Sequence, residues 1–135
     1  MLFKGLEVSV SGMSAEKIRI DLAASNIANV NSTNENGHPY RRKVPVFESI
    51  LDREGGMPLY KVKVAKIEED KTPFKLKYDP DNPLADKNGY VKLPNVDPLR
   101  EMVDMMSAIR SYEANLTAFN THKDMLLKTI DILKV

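Results

Sequence analysis

The 135-residue chain contains no cysteine. That excludes disulfide staples, thiolate metal sites and cysteine nucleophiles. It does not fix a compartment, because a cysteine-free chain suits the cytosol and the exterior alike. Histidine is nearly as scarce. His38 lies in a loop of helix breakers and His122 in a helical stretch, and neither has the spacing of a metal-ligand pair. Net charge is almost nil: 20 Lys and Arg against 19 Asp and Glu give +1. The chain therefore has neither the basic footprint of a nucleic-acid binder nor the excess of a solvating acidic tail. No apolar run approaches the ~20 residues needed to cross a bilayer. Glu7 interrupts the opening Met1–Leu6 stretch where a cleaved signal peptide would stay apolar. Export, if it occurs, is expected to use no ordinary signal peptide.

Sites for chemistry are missing too. Gly55-Gly56 is not followed by the Lys and Ser/Thr of a phosphate loop. Ser25 and Ser107 lack the G-x-S-x-G surroundings of an activated nucleophile. Glu68-Glu69-Asp70 reads as the charged end of a strand, and Asp79-Pro80-Asp81 as a turn. Tyr40-Arg41-Arg42-Lys43 is a short basic run on a neutral chain and reads as a solvated face or a partner contact. No catalytic, metal or cofactor residue is assigned, no cofactor is expected, and the chain is not expected to be an enzyme.

What is present is helical periodicity at both ends. From Leu2 to Val30, Phe3, Leu6, Val10, Met13, Lys17, Ile20, Ala24 and Ile27 alternate in steps of three and four. This is the seam of an amphipathic helix with coiled-coil spacing, broken only by Lys17. Ser9, Ser11 and Gly12 lower helix propensity and predict a fray or kink there. The Asn- and Ser-rich run from Asn29 to Pro39 must end the helix. From Asp97, an N-cap followed by Pro98, a second seam runs through Met105, Ile109, Tyr112, Leu116, Phe119, Lys123, Leu126, Ile130 and Leu133. Two surface ion pairs, Lys17–Asp21 and Asp124–Lys128, are expected one turn apart. This second helix would be roughly 50 Å long at 1.5 Å per residue. A compact chain of this size has a radius of gyration near ~14 Å. The helix must therefore protrude or run beside the first. Methionines at 102, 105, 106 and 125 suit contacts that accept more than one neighbour geometry.

The middle reads as β. Tyr60, Val62 and Val64 alternate with polar neighbours, as do Phe74, Leu76 and Tyr78, predicting half-buried strands. Asn88-Gly89 before Tyr90 is a tight-turn signal. Seven of the eight prolines fall between Pro39 and Pro94 and keep the strands short. The fold class is therefore α+β: long terminal helices packed as a coiled-coil-like stem, with a small β-rich middle. The expected division is 1–36, 37–96 and 97–135.

Particular residues now carry a resemblance. Ser25-Asn26-Ile27-Ala28-Asn29, within Leu22–Asn31, resembles the N-terminal signature of the axial proteins of the bacterial flagellum, the rod, hook and hook-associated proteins. Pro39-Tyr40-Arg41, then Asn82-Pro83-Leu84-Ala85-Asp86 with Gly89-Tyr90, then Asn95 and Asp97, are similar to the proximal-rod branch of that family. The resemblance implies a rod subunit in the periplasmic space that leaves through the flagellar type III export apparatus. It implies self-association and contact with other rod and basal-body proteins around a central channel, terminal helices inside and middle outside. Another rod protein, or a soluble helical adaptor or export chaperone, is the competing reading. On either seam, the flanks Ile18, Leu22, Val103, Met106 and Leu127 widen the apolar stripe beyond one partner helix. The terminal regions are accordingly expected to be frayed in the free monomer and to order on assembly.

Overall fold

The computed structural model describes residues 3–134. Helix α1 spans Lys4–Ala28 and helix α2 spans Pro98–Leu133. Between them lie strands β1 (Lys43–Asp52), β2 (Leu59–Glu69), β3 (Lys75–Tyr78) and β4 (Tyr90–Leu93). β1 and β2 form one antiparallel hairpin, with Lys43 opposite Glu69 and Asp52 opposite Leu59. β3 and β4 form a second antiparallel pair, with Tyr78 opposite Tyr90. The α+β architecture expected from periodicity is the one observed.

The helix boundaries follow local chemistry. Asp97 accepts a hydrogen bond from the Leu99 amide at 3.2 Å, and Pro98 opens α2 where its missing N–H is not needed. At 36 residues α2 is about 54 Å long. At the same end of the stem, the Asn29 side chain donates to the Ser25 carbonyl at 2.8 Å as α1 stops. α1 runs unbroken through Ser9, Ser11 and Gly12, against the expected fray or kink. Tertiary contact overrides propensity here. Ser9 is buried, Gly12 lies against α2, and the Ser11 hydroxyl donates to the Val8 carbonyl at 2.7 Å.

Three contacts set the register of the helix pair. A Cβ on Gly5 would stand 2.5 Å from the His122 ring, and one on Gly12 would stand 2.8 Å from the Asn115 amide. Asn26 reaches Glu101 at 3.1 Å. Each advance along α1 matches an equal retreat along α2, so the helices are antiparallel and in heptad step. The seam is lined on α1 by Gly5, Ser9, Gly12, Ala23 and Asn26, and on α2 by Glu101, Ala108, Asn115 and His122. These are mostly small or polar residues, and the small ones let the backbones come close.

The apolar seams read from the sequence lie beside this contact line. Met105, Tyr112, Phe119 and Leu126 are half-buried beside α1, as are Leu6, Met13, Ile20 and Ile27 on α1. Val10, Ile109, Leu116, Ile130 and Leu133 are exposed, Leu133 by 77%. The three-and-four spacing is real. On α1 it marks a stripe turned about 100° from the intramolecular contact, because one residue is 100° of an α-helix; on α2, Ile109 and Leu116 are turned as far, whereas Met105, Tyr112, Phe119 and Leu126, four residues after the contact residues, are turned only about 40°. Among the described residues, neither expected surface ion pair, Lys17–Asp21 or Asp124–Lys128, closes to 4 Å; the i,i+3 pair that forms is Arg19–Glu16 at 3.3 Å.

The middle differs from expectation in three respects, the first being that β1 and β2 run to 10 and 11 residues despite the prolines. Val62 and Val64 of β2 are half-buried against α1, but β3 is exposed along its whole length, with Leu76 and Tyr78 out in solvent. The cover for this pair sits on the partner strand, where Val91 is buried. Asn88-Gly89 does turn, with Gly89 at φ +83°, but inside a loop over 79–89 and not as a two-residue hairpin.

Candidate assembly surface

Three elements meet where α1 ends and α2 begins, and the joint is polar. Asn26 is 1% exposed and uses its whole amide. It donates to the Lys43 carbonyl at 2.9 Å and to Glu101 at 3.1 Å. It accepts from the Tyr40 hydroxyl and from the Lys43 amide, both at 2.9 Å. Glu101, equally buried, receives Arg42 Nε in a tight ion pair. The other Arg42 nitrogens reach Asp104 at 3.1 Å and Asp70 at 3.4 Å. Burial alone would lower the Arg42 pKa, but the hydrogen bond and charge of Glu101 prevail and raise it. Asp70 is held below the usual carboxylate range, first by the Thr72 amide and then by Arg42.

Asn95 does the same for the middle. It accepts from the Arg42 amide at 2.8 Å and donates to the Asp70 and Thr72 carbonyls at 2.9 and 3.1 Å. Arg41 spans those two carbonyls and lies 4.2 Å above the Phe74 ring. Of the signature positions, Asn26, Tyr40, Arg41, Asn95 and Asp97 thus converge on one joint. Ser25 and Asn29 close the end of α1, while beside them Ile27 is half-buried and Ala28 is exposed. Pro39 is buried in the following loop, where it bridges Thr33. Asn82, Asp86, Gly89 and Tyr90 serve the loop before β4. Asn82 caps the turn at Leu84 and Asp86 accepts from the Tyr90 amide at 2.9 Å. Pro83, Leu84 and Ala85 lie along that loop, Leu84 half exposed.

Sequence reasoning missed Arg42, Glu101 and Asp70 as a unit. The available signal was Glu101, a carboxylate in the first turn of a long helix, facing a basic run across the chain. An open cavity of about 680 Å³ beside the joint is lined by Asn34, His38, Tyr40, Arg41 and Phe74, but its Arg41 is already engaged. Among the described residues no group of three or more His, Asp or Glu could hold a metal ion. No described helix is long and apolar enough to cross a membrane.

The two outward stripes share a side. In an antiparallel pair, one residue forward from the seam turns both helices toward the same face, and one residue back turns them toward the other. Leu6, Val10 and Met13 of α1 therefore adjoin Ile109 and Leu116 of α2. The β1–β2 hairpin occupies the opposite face, through Lys4 and Ser11, each one residue back from the seam. The hydrophobic residues that are fully buried are Ala15, Ala23, Val91, Val96 and Ala108, none larger than valine. The accessible surface is 9546 Å². A compact monomer of 15.2 kDa would expose about 7,100 Å². The excess, about 2,400 Å², is the size of an obligate interface.

Comparison with known proteins identifies the family. A family profile described as "Flagella basal body rod protein" matches residues 6–34, and one described as "Flagellar basal body rod FlgEFG protein C-terminal" matches residues 87–132. The flagellar basal-body rod protein FlgC of Aquifex aeolicus is 48% identical over 134 residues, 98% of each chain. That of Salmonella typhimurium is 49% identical over 127 residues, 93% of each. That of Bacillus subtilis is 46% identical and again covers 98% of both. The chain belongs to the FlgC family of flagellar basal-body rod proteins. The profile at residues 6–34 takes in Asn26 and the α1 stripe, and the profile at 87–132 takes in Asn95, Glu101 and most of the α2 stripe.

Proposed function

We propose that the chain is a structural subunit of the flagellar proximal rod and polymerises through its terminal helices into a hollow shaft. One observation carries this reading: the closest contacts between the helices are made by small and polar residues, and the apolar stripes are left half-buried or, at Val10, Ile109, Leu116 and Ile130, exposed on one face. Copies of this chain and related rod subunits would cover that face, Leu6, Val10, Met13, Ile20 and Ile27 meeting neighbours together with Ile109, Leu116 and Ile130. A contact that does not close on itself generates a tube, not a ring. Torque would pass through many parallel helix contacts. The periplasmic position and exit through the type III export apparatus follow from the same family reading.

The test is Leu116→Glu. Leu116 is already 40% exposed, so the isolated subunit should keep its helical circular dichroism and its thermal midpoint. Rod assembly and swimming should be lost. Wild-type swimming in this strain would sink the proposal. Recovery of the wild-type chain from cytoplasm but never from purified basal bodies would favour the export-chaperone reading.

A further inference from the structure

The β1–β2 hairpin is attached to the stem very unevenly. At its base, Lys43 is fixed to Asn26 through both its amide and its carbonyl, and Arg42 beside it is bound to Glu101. Just beyond, β1 carries Pro45, and the register shifts between Val46 and Phe47, where Ala65 is the extra residue that bends β2. Midway, the contact with α1 is made by small side chains: the Val62 amide donates to Ser11 Oγ at 3.2 Å, over half-buried Val8 and Val62 and buried Ala15. Towards the tip the contact is ionic. Asp52 receives Lys4 at 3.0 Å and Lys61 at 2.9 Å, and Lys61 also reaches Glu7 at 2.8 Å. Four charges of alternating sign thus join the last residues of the hairpin strands to the first two turns of α1. The tip loop itself carries Gly55 and Gly56, both at positive φ, and Lys4 packs against Gly55. Phe47, Ile50 and Tyr60 remain substantially exposed, while Leu51 and Leu59 near the tip are half-buried.

We propose that this hairpin is a releasable strap, hinged at the buried joint and held down at its far end by the Lys4–Asp52–Lys61–Glu7 latch. The latch is half-buried at Lys4, Asp52 and Lys61 and open to solvent at Glu7, so salt reaches it from the Glu7 side and screens its pairs. The base, by contrast, is buried and keeps its place. Release swings the hairpin off Val8, Ser11 and Ala15 while the helix pair and the joint stay intact. The device does not depend on how the subunit assembles.

Because the chain has no cysteine, two introduced ones report the distance cleanly. Met57→Cys at the tip and Ser14→Cys on the exposed side of α1 would carry spin labels on the full-length subunit. At about 0.05 M salt a single short distance is expected. At about 1 M, where the screening length falls to about 3 Å, a longer population should appear and grow to at least a third of the molecules. Asp52→Asn, which leaves two lysines facing each other, should show that longer population already at low salt. The thermal midpoint of helical circular dichroism is followed alongside. If Asp52→Asn unfolds the stem, the salt series on the otherwise unaltered labelled chain decides alone. One unchanged distance across the salt series, or a hairpin already loose at low salt, overturns the proposal.

Discussion

At Asn26 a single amide closes the end of the stem, and its four bonds explain why no other residue type would serve. Leucine would fit the burial but strand the Tyr40 hydroxyl, the Lys43 amide and Glu101. Aspartate would place a second charge beside Glu101. The sharper experiment is on the partner. Arg42→Ala leaves the Glu101 carboxylate 1% exposed without its counter-charge, and breaking a buried pair from one side costs about 3–5 kcal/mol. Urea unfolding of the monomer should show a loss of that size, whereas Glu101→Gln, which removes the charge but keeps an acceptor, should lose less. Equal losses would mean the charge plays no part. Gly12 makes the matching test at the seam. Gly12→Leu should lower stability by about 1–3 kcal/mol through overpacking against Asn115. Asn115→Ala in the same chain should recover part of that loss.

The terminal helices were legible in the sequence because periodicity, the Asp97-Pro98 start and the asparagine-rich stop are local signals. Which face of each helix meets the other was not. Periodicity reports where the apolar side lies, and the usual inference is that apolar sides meet within the chain. Here the close approach of the helices is set by Gly5, Gly12 and Ala108, whose side chains are too small to stand out in an apolar pattern. Strand β1 was invisible for a related reason, since Pro45 interrupts it and Val46-Phe47 and Ile50-Leu51 place apolar residues side by side, which spoils its alternation. The joint was half legible: the resemblance pointed at Asn26, Tyr40, Arg41 and Asn95, but Arg42 and Glu101 are 59 residues apart and only the fold unites them. The hairpin latch has its own pH signature. The amines of Lys61 and Lys4 and the Glu54 amide hold Asp52 well below the usual carboxylate range, and Glu7 and Asp52 hold Lys61 above the usual amine range. A depressed acid contributes stability that is whole above about pH 4 and is lost as the pH falls through the folded value. A raised amine contributes stability that is whole below about pH 10 and is lost as the pH rises through its own. The latch should therefore hold unchanged from about pH 5 to about pH 9 and loosen only outside that window. The spin-label pair checks this, and a hairpin that opened between pH 6 and 8 would contradict it.

Across the whole molecule, the subunit has to stay soluble while carrying an open apolar face over two helices. Lys17 and Lys123 are the only breaks in the two stripes, and both are exposed on that face. A lysine in an apolar stripe costs little in a monomer, because its head stays in water while its stem covers neighbouring surface. Against a like face it is repulsive, so two free subunits meeting face to face bring lysines into each other's apolar surround. That disfavours closed pairs and leaves the face for a neighbour that offers an acidic group at the right place. Replacing both with leucine should remove the brake. The double variant Lys17→Leu, Lys123→Leu should keep its helical content, because neither residue makes an ion pair within the described chain. It should sediment as dimers or larger species at micromolar concentrations where the wild-type subunit is a monomer, and added salt should not disperse them. If the double variant stays monomeric, the lysines do not guard the face. The solubility of the free subunit would then rest on the mixed charges along its outer edge, Arg110, Glu113 and Asp124.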